Sequence, residues 1–191
     1  MTERIGAIVL AGGRSSRFGR DKLAEPIDGV PLLDHAIAAV RSMTEHVVVV
    51  AAPDADPPLS EGVTLVRDAR PFEGPLAALD AGLAATTVER VIVVGGDMPT
   101  LVPAVLGRLL VALDDDATAA ILEVAGPRAI LPLALASQPA RIAIRRLLET
   151  GERRLGAVLD VLEVRVLPAA EWRPDDPDGR TLRDVDTPAD L

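Results

Sequence analysis

Residues 5–22 read Ile5-Gly-Ala-Ile-Val-Leu-Ala-Gly-Gly-Arg-Ser-Ser-Arg-Phe-Gly-Arg-Asp-Lys22, an apolar run that leads into a glycine-rich, cationic segment. The apolar run, residues 5–10, predicts a buried β-strand. Adjacent glycines let backbone N–H groups approach a phosphate closely, and the cationic side chains neutralise it. Lys22 is the only lysine in a chain whose other cationic residues are all arginine. We interpret this segment as a phosphate-binding loop; the alternative is a solvated surface turn.

The loop matches neither of two common phosphate-binding patterns. After Gly13 the next glycine is Gly19, so the dinucleotide fingerprint G-x-G-x-x-G is absent. Lys22 follows an aspartate and precedes a leucine, so the Walker A pattern is absent too. The chain has no cysteine and no serine in a G-x-S-x-G elbow. These observations favour direct displacement on a nucleotide over hydride transfer or a covalent intermediate.

The composition excludes several classes of protein. The chain has 191 residues, no cysteine, a net charge of −9 and 2% aromatic residues. We expect one domain spanning residues 1–191, without disulfides or thiolate metal sites. Acidity and the scarcity of stacking side chains argue against nucleic acid as a partner.

Features of an exported or membrane protein are also missing from the sequence. The first four residues lead directly into the predicted strand, so we expect no signal peptide. The longest apolar stretch, residues 101–113, is interrupted by Pro103 and Arg108 and is shorter than the roughly 20 residues that cross a bilayer. We expect a cytoplasmic protein with no membrane partner.

Apolar runs alternate with alanine-rich amphipathic segments along the chain. The pattern predicts strands at residues 5–10, 47–51, 63–66, 91–94, 117–124, 129–133 and 161–167, and helices at residues 32–43, 75–85, 103–113 and 139–150. Strands 117–124 and 129–133 would pair around the Gly126-Pro127 turn. Strands rich in Val and Ile without polar alternation indicate a sheet covered on both faces. We therefore predict a doubly wound, mostly parallel α/β sheet of the Rossmann-like kind.

Three polar segments follow predicted strands at their carboxyl ends: residues 11–22, 67–75 and 95–99. Ligands of doubly wound sheets bind outside these strand ends. We therefore expect the three segments to form one active-site cleft.

Carboxylates in these segments are the candidate metal and nucleoside ligands. Asp97 ends a buried strand and could bind Mg²⁺, an ion that takes few protein ligands beside phosphate oxygens and water; the alternative is a turn or helix cap. Asp68 could accept hydrogen bonds from a base or a ribose, or pair with a neighbouring arginine in a solvated loop. Asp184 and Asp186 alternate on an extended segment, so either could complete a metal site.

Four segments together resemble the molybdenum cofactor guanylyltransferases, a family of the nucleotidyltransferase superfamily. The segments are Leu10-Ala-Gly-Gly-Arg-Ser-Ser-Arg-Phe-Gly-Arg-Asp-Lys22, Glu73-Gly-Pro-Leu-Ala-Ala-Leu-Asp-Ala-Gly-Leu83, Gly96-Asp-Met-Pro99 and Asp186-Thr-Pro-Ala-Asp-Leu191. The first segment, with Leu-Ala-Gly-Gly rather than Leu-Ala-Ala-Gly, is more similar to the guanylyl branch than to the cytidylyl branch. Asp184 and Asp186 depart from the family, which usually has asparagine at both positions.

The resemblance implies a role for each matching residue. Backbone groups of four residues would cradle the nucleotide: Leu10, Ala11, Gly12 and Gly13. Arg17 and Lys22 would contact its phosphates and, with Asp97, form the catalytic set. Asp68 and Gly74 would lie near the guanosine, and Asp97 would hold Mg²⁺. Asp186, at a position where the family usually has asparagine, is our own candidate for the second metal ligand.

The implied activity is transfer of GMP from GTP to the terminal phosphate of a molybdopterin-type cofactor, with release of pyrophosphate. The ion would be Mg²⁺, with Mn²⁺ as a substitute. The implied partners are GTP, the cofactor, and a molybdoenzyme or cofactor-insertion protein. Three alternatives stay open: cytidylyl transfer to the same cofactor, nucleotidyl transfer to a sugar or polyol phosphate, and nucleotide binding without catalysis.

Overall fold

A computed structural model describes residues 4–12, 22–57, 59–67, 74–114, 116–126 and 128–190. Its strands are β1 Ile5–Ala11, β2 Pro26–Ile27, β3 Val30–Pro31, β4 Val47–Ala51, β5 Val63–Arg67, β6 Arg90–Gly95, β7 Ala119–Leu122, β8 Leu133–Ala136 and β9 Val164–Leu167. Its α-helices are α1 Leu32–Arg41, α2 Pro75–Ala84, α3 Pro103–Val111, α4 Ser137–Glu149 and α5 Ala169–Trp172. Short 3-10 helices lie at Lys22–Ala24, Leu155–Asp160, Arg180–Leu182 and Pro188–Asp190.

Seven strands form one sheet in the order β5-β4-β1-β6-β8-β7-β9, and β2 pairs with β3 in a separate hairpin. β1 runs parallel to β4 and β6, and β4 runs parallel to β5. β8 is antiparallel to β6 and β7, whereas β7 and β9 are parallel. The predicted doubly wound, mostly parallel sheet is therefore confirmed, with β8 as its reversed strand.

Helices cover the sheet on both faces, as the uninterrupted apolar strands predict. Ile8 and Val9 are adjacent in β1 and both are fully buried. Successive side chains of a strand point to opposite faces, so the two residues belong to separate apolar clusters. Val9 packs in the cluster that includes α1 and α3, and Ile8 packs in the cluster that includes α2 and α4.

The second half of the chain differs most from the predicted elements. The predicted strand 129–133 is wrong in position, because pairing with β7 begins only at Leu133. Pro132 precedes this residue and lacks the N–H group that a strand ladder needs, which explains the late start. The predicted strand 161–167 is shortened to β9, because a 3-10 helix, Leu155–Asp160, precedes it and Val161 caps that helix.

Candidate active site

The carboxyl ends of β1 and β6 lie side by side at one edge of the sheet. Leu10 is the register partner of Gly95 in these parallel strands. The backbone N–H of Gly96 donates to the carbonyl oxygen of Leu10 at 2.9 Å. The turn after β6 is thereby fixed against the start of the glycine-rich loop, which brings Leu10, Ala11 and Gly12 close to the turn that carries Asp97.

Lys22 lies at the centre of this edge. Its Nζ donates to Asp97 Oδ2 at 2.7 Å and to the carbonyl oxygen of Val185 at 3.0 Å. Asp186 Oδ1 lies 3.8 Å from the same ammonium. The Lys22 side chain is 17% exposed and the Asp97 side chain 26% exposed, so the pair is only partly screened by water. Lys22, Asp97 and Asp186 thus come together, although they are far apart in sequence.

The C-terminal segment is held against this site by Val185. Its N–H donates to the carbonyl oxygen of Asp97 at 2.9 Å. Its side chain is buried in a small apolar cluster with Leu32, next to Leu23 and Ile27. Val185 was not among the expected site residues, although an apolar residue between two aspartates on an extended segment is a signal of burial. Its burial leaves Asp184 and Asp186 on the opposite, exposed side of the segment.

The carboxylates around Lys22 repel one another. Loss of solvent raises the pKa of Asp184, the negative charges of Asp186 and Asp97 raise this pKa further, and Lys22 opposes the shift. A second positive charge at this edge would relieve the repulsion, because opposite charges favour the ionised carboxylates.

Gly95 places the Asp97 carboxylate by leaving room for it. A Cβ atom added at Gly95 would overlap Asp97 Oδ1 and would lie 3.3 Å from the side chain of Met98. Met98 Sδ accepts a hydrogen bond from the N–H of Gly95 at 3.3 Å. The turn Gly95–Met98 is therefore closed on itself, and a side chain at position 95 would displace the carboxylate from Lys22.

Gly74 is a second position where a side chain would meet a close neighbour. It precedes α2 with φ +89°, a left-handed backbone conformation that side chains disfavour. A Cβ atom there would lie 2.9 Å from the carbonyl oxygen of Arg153. α2 follows β5, which is parallel to β4 and β1, so the helix begins at the same edge of the sheet as the Lys22 cluster.

A buried aspartate anchors the C-terminal segment further upstream. Asp176 is 0% exposed and accepts hydrogen bonds from the N–H groups of Arg180 at 2.9 Å and Thr181 at 2.7 Å. The Thr181 hydroxyl in turn accepts from the N–H of Val102 at 3.1 Å. The Thr100 hydroxyl donates to the carbonyl oxygen of Arg180 at 2.8 Å. The segment that delivers Val185 is thus attached to the chain that follows Asp97.

Some expected site residues fall beyond what the structure describes. Gly13, Arg17 and Asp68 lie outside the described residues, so their roles stay predictions. In the part of the chain that is described, no group of three or more His, Asp or Glu side chains is arranged to hold a metal ion. A cavity of about 590 Å³ lies away from the Lys22 cluster, between α3 and β9, with Arg108 and Arg165 in its lining.

Comparison with known proteins identifies the family to which the chain belongs. The chain matches the MobA-like NTP transferase domain over residues 7–166, and it therefore belongs to that family of nucleotidyltransferases. The resemblance inferred from the four motifs is confirmed. In the described ranges, no helix has both the length and the apolarity to cross a membrane.

Two relatives align with most of the chain. The chain is 33% identical to a probable molybdenum cofactor guanylyltransferase of Chloroflexus aggregans, over 98% of this chain and 91% of that protein. It is 34% identical to the molybdenum cofactor guanylyltransferase of Serratia proteamaculans, over 86% of this chain and 84% of that protein.

Solved structures share the fold. The molybdopterin-guanine dinucleotide biosynthesis protein A of Archaeoglobus fulgidus superposes with a TM-score of 0.77 at 21% identity, covering 97% of this chain and 94% of that one. The 2-C-methyl-D-erythritol 4-phosphate cytidylyltransferase of Thermus thermophilus superposes with a TM-score of 0.74 at 16% identity, covering 98% and 95%.

Proposed function

We propose that this enzyme transfers GMP from GTP to the terminal phosphate of a molybdopterin-type cofactor and releases pyrophosphate. Relatives named molybdenum cofactor guanylyltransferase, aligned along nearly the whole chain, support this substrate pair. The observation that carries the proposal is the contact of Lys22 Nζ with Asp97 Oδ2 at 2.7 Å, beside the end of the glycine-rich loop. It places the sole lysine of the chain at the strand edge where doubly wound sheets bind ligands.

The chemistry is an in-line displacement. An oxygen of the acceptor phosphate attacks the α-phosphorus of GTP, a new P–O bond forms, and the bond to the β-phosphate oxygen breaks with departure of pyrophosphate. The attacking phosphate is already ionised, so positioning and electrostatic stabilisation suffice without a general base. Lys22, and by resemblance Arg17, stabilise the charge that gathers on the phosphoryl oxygens. Lys22 has then to exchange a carboxylate partner for a phosphate oxygen.

The donor set fits a magnesium ion. Asp97 and Asp186 both offer carboxylate oxygens toward Lys22, and Mg²⁺ is commonly bound by one or two carboxylates plus substrate phosphates. When bound, the ion would neutralise the phosphates and polarise the reacting phosphoryl group.

The first experiment measures pyrophosphate release with Mg²⁺ from GTP, CTP, ATP and UTP, with and without the molybdopterin-form cofactor. We expect release from GTP only, and only when the cofactor is present. Release from CTP instead would show that the protein is a cytidylyltransferase. Nucleotide binding without release from any nucleotide would contradict guanylyl transfer to this acceptor.

Two variants test the assigned residues in the same assay. Lys22→Ala should lower turnover by about 100-fold or more, the usual cost of removing a group that stabilises transition-state charge. Asp97→Asn should abolish the dependence of the rate on Mg²⁺. Glu149→Ala serves as a control, because Glu149 is exposed at the end of α4. Wild-type turnover in Lys22→Ala, or an unchanged Mg²⁺ dependence in Asp97→Asn, would remove that residue from the mechanism.

A further inference from the structure

The loop that follows α4 has an ordered backbone. The N–H of Gly151 donates to the carbonyl oxygen of Leu148 at 3.0 Å, and the N–H of Glu152 donates to that of Leu147 at 3.0 Å. Gly151 has φ +85°, so these two bonds form the Schellman motif that commonly ends a helix. Glu152 is therefore held in a fixed place directly after α4.

The Glu152 carboxylate shapes the next two residues. Its Oε1 accepts the N–H of Arg153 at 2.8 Å and the N–H of Arg154 at 2.9 Å. Its Oε2 accepts from Nη2 of Arg154 at 2.7 Å. The side-chain bond to Arg154 and the backbone bonds to both arginines lower the pKa of Glu152 to about 2. The carboxylate is thus ionised throughout the neutral range and holds two backbone amides on one oxygen.

The shaped loop caps the first turn of α2. The carbonyl oxygen of Arg153 accepts the N–H of Leu76 at 3.4 Å, one of the helix-terminal donors that has no partner inside the helix. The same carbonyl sets the close approach at Gly74, where an added Cβ atom would lie 2.9 Å away. Leu76 is fully buried, and it packs in one apolar cluster with Leu155, directly after the loop.

From these contacts we propose that Glu152 is a positioning residue for nucleotide binding. Its carboxylate orients the carbonyl of Arg153, and that carbonyl fixes Gly74 and the start of α2. The inference rests on the proposed function and on the family resemblance, which implies that Gly74 lies near the guanosine. Glu152 touches no reacting atom in this scheme, so it governs how well the nucleotide is held and leaves the displacement step unchanged.

The ion pair between Glu152 and Arg154 contributes less to the positioning of the Arg153 carbonyl than the backbone hydrogen bonds do. The Arg154 side chain is 76% exposed, and exposed ion pairs contribute little to stability. The two backbone amides held by Oε1 are the contacts that set the direction of the Arg153 carbonyl. An amide in place of the carboxylate keeps an acceptor oxygen for them, whereas a methyl group does not.

The test compares Glu152→Ala, Glu152→Gln and the control Glu149→Ala in steady-state pyrophosphate release with GTP varied. Glu152→Ala should raise KM for GTP by about tenfold with kcat within about twofold of wild type, because the interaction lost acts equally on bound substrate and transition state. Glu152→Gln should recover most of the affinity. Amide hydrogen exchange at Leu76, measured on the same proteins without nucleotide, should accelerate in Glu152→Ala and stay at the wild-type rate in Glu149→Ala.

The outcomes separate this inference from the proposed function. A wild-type KM in Glu152→Ala, or a loss confined to kcat, would overturn the positioning role. If the wild-type protein releases no pyrophosphate from GTP, the proposed function fails and exchange at Leu76 decides the inference. Unchanged exchange in Glu152→Ala would overturn it, whereas faster exchange would keep Glu152 as the residue that orders the start of α2. If Glu152→Ala does not fold, Glu152→Gln decides: a KM for GTP and an exchange rate at Leu76 near wild type support the role of the acceptor oxygen, and a KM raised without faster exchange at Leu76 would overturn it.

Discussion

Replacement of Asp176 by alanine tests whether the C-terminal segment depends on one buried carboxylate. The carboxylate is 0% exposed and accepts backbone N–H groups from Arg180 at 2.9 Å and from Thr181 at 2.7 Å. A hydrogen bond to a charged group contributes about 1.5–3 kcal/mol, so losing both should lower the free energy of unfolding by about 3–6 kcal/mol. For a domain of this size the melting temperature should fall by roughly 10 °C.

The control is Asp178→Ala, because Asp178 is exposed in the same loop. Urea unfolding followed by circular dichroism gives the free energy of both variants and of the wild type. We expect Asp178→Ala to lie within about 0.5 kcal/mol of wild type, as surface substitutions usually do. A loss below about 1 kcal/mol in Asp176→Ala, or equal losses in the two variants, would refute the anchoring role.

The pH dependence supplies an independent check on the same residue. Burial raises the pKa of Asp176, but the hydrogen bonds from Thr181 and Arg180 together outweigh it, so the pKa lies below its ordinary value. The stabilisation is therefore fully present above the unfolded value of about 3.9 and is lost as pH falls through the folded value. The difference between wild type and Asp176→Ala should be constant from pH 5 to pH 8 and shrink below about pH 4. A difference that grows on acidification would contradict the assignment.

Two further substitutions test how the site is held in place. Gly95→Ala should displace the Asp97 carboxylate and lower turnover by about 100-fold, since misplacing a group by about 1 Å can cost that much; wild-type turnover would contradict the close approach at this glycine. Val185→Ala should destabilise the protein by about 2 kcal/mol, because it removes buried methyl groups and leaves a cavity beside Leu32. At a temperature where the Val185→Ala protein stays folded, its turnover should still be lower than that of wild type. Turnover equal to wild type at that temperature would contradict the role of the C-terminal segment in positioning Lys22.

Local patterns in the sequence predict the first half of the fold well. The strand 47–51 agrees with β4 to the residue, because five consecutive apolar residues in a covered parallel strand leave no ambiguity. The helix 75–85 agrees with α2 to within one residue, since Pro75 fits the first turn of a helix. In the second half, the short strand β8 is defined by its pairing with β6 and β7. The residues of β8 alone do not reveal these partners.

The sequence predicts the charged residues of the candidate site, but it does not predict the residues that hold them in place. Lys22 and Asp97 follow strands that end at one edge, so topology alone brings them together. Val185 and Asp176 support the site through burial and backbone hydrogen bonds, and the bond from Val185 depends on where the chain returns 88 residues after Asp97. The contact of Val185 with Asp97 has no local sequence signature. The hydrogen bonds of Asp176 and Glu152 are local, but the burial of Asp176 and the contact of Arg153 with Leu76 depend on the tertiary fold.

The uniqueness of Lys22 has a practical consequence for chemistry on this protein. Because arginine replaces lysine everywhere else, the single ε-amino group of the chain lies between Asp97 and Asp186. An amine-selective reagent will therefore modify one side chain, with the α-amino group of the N-terminus as the other acceptor. The extent of labelling, read by intact mass with and without nucleotide, reports whether that amine is protected or open to solvent.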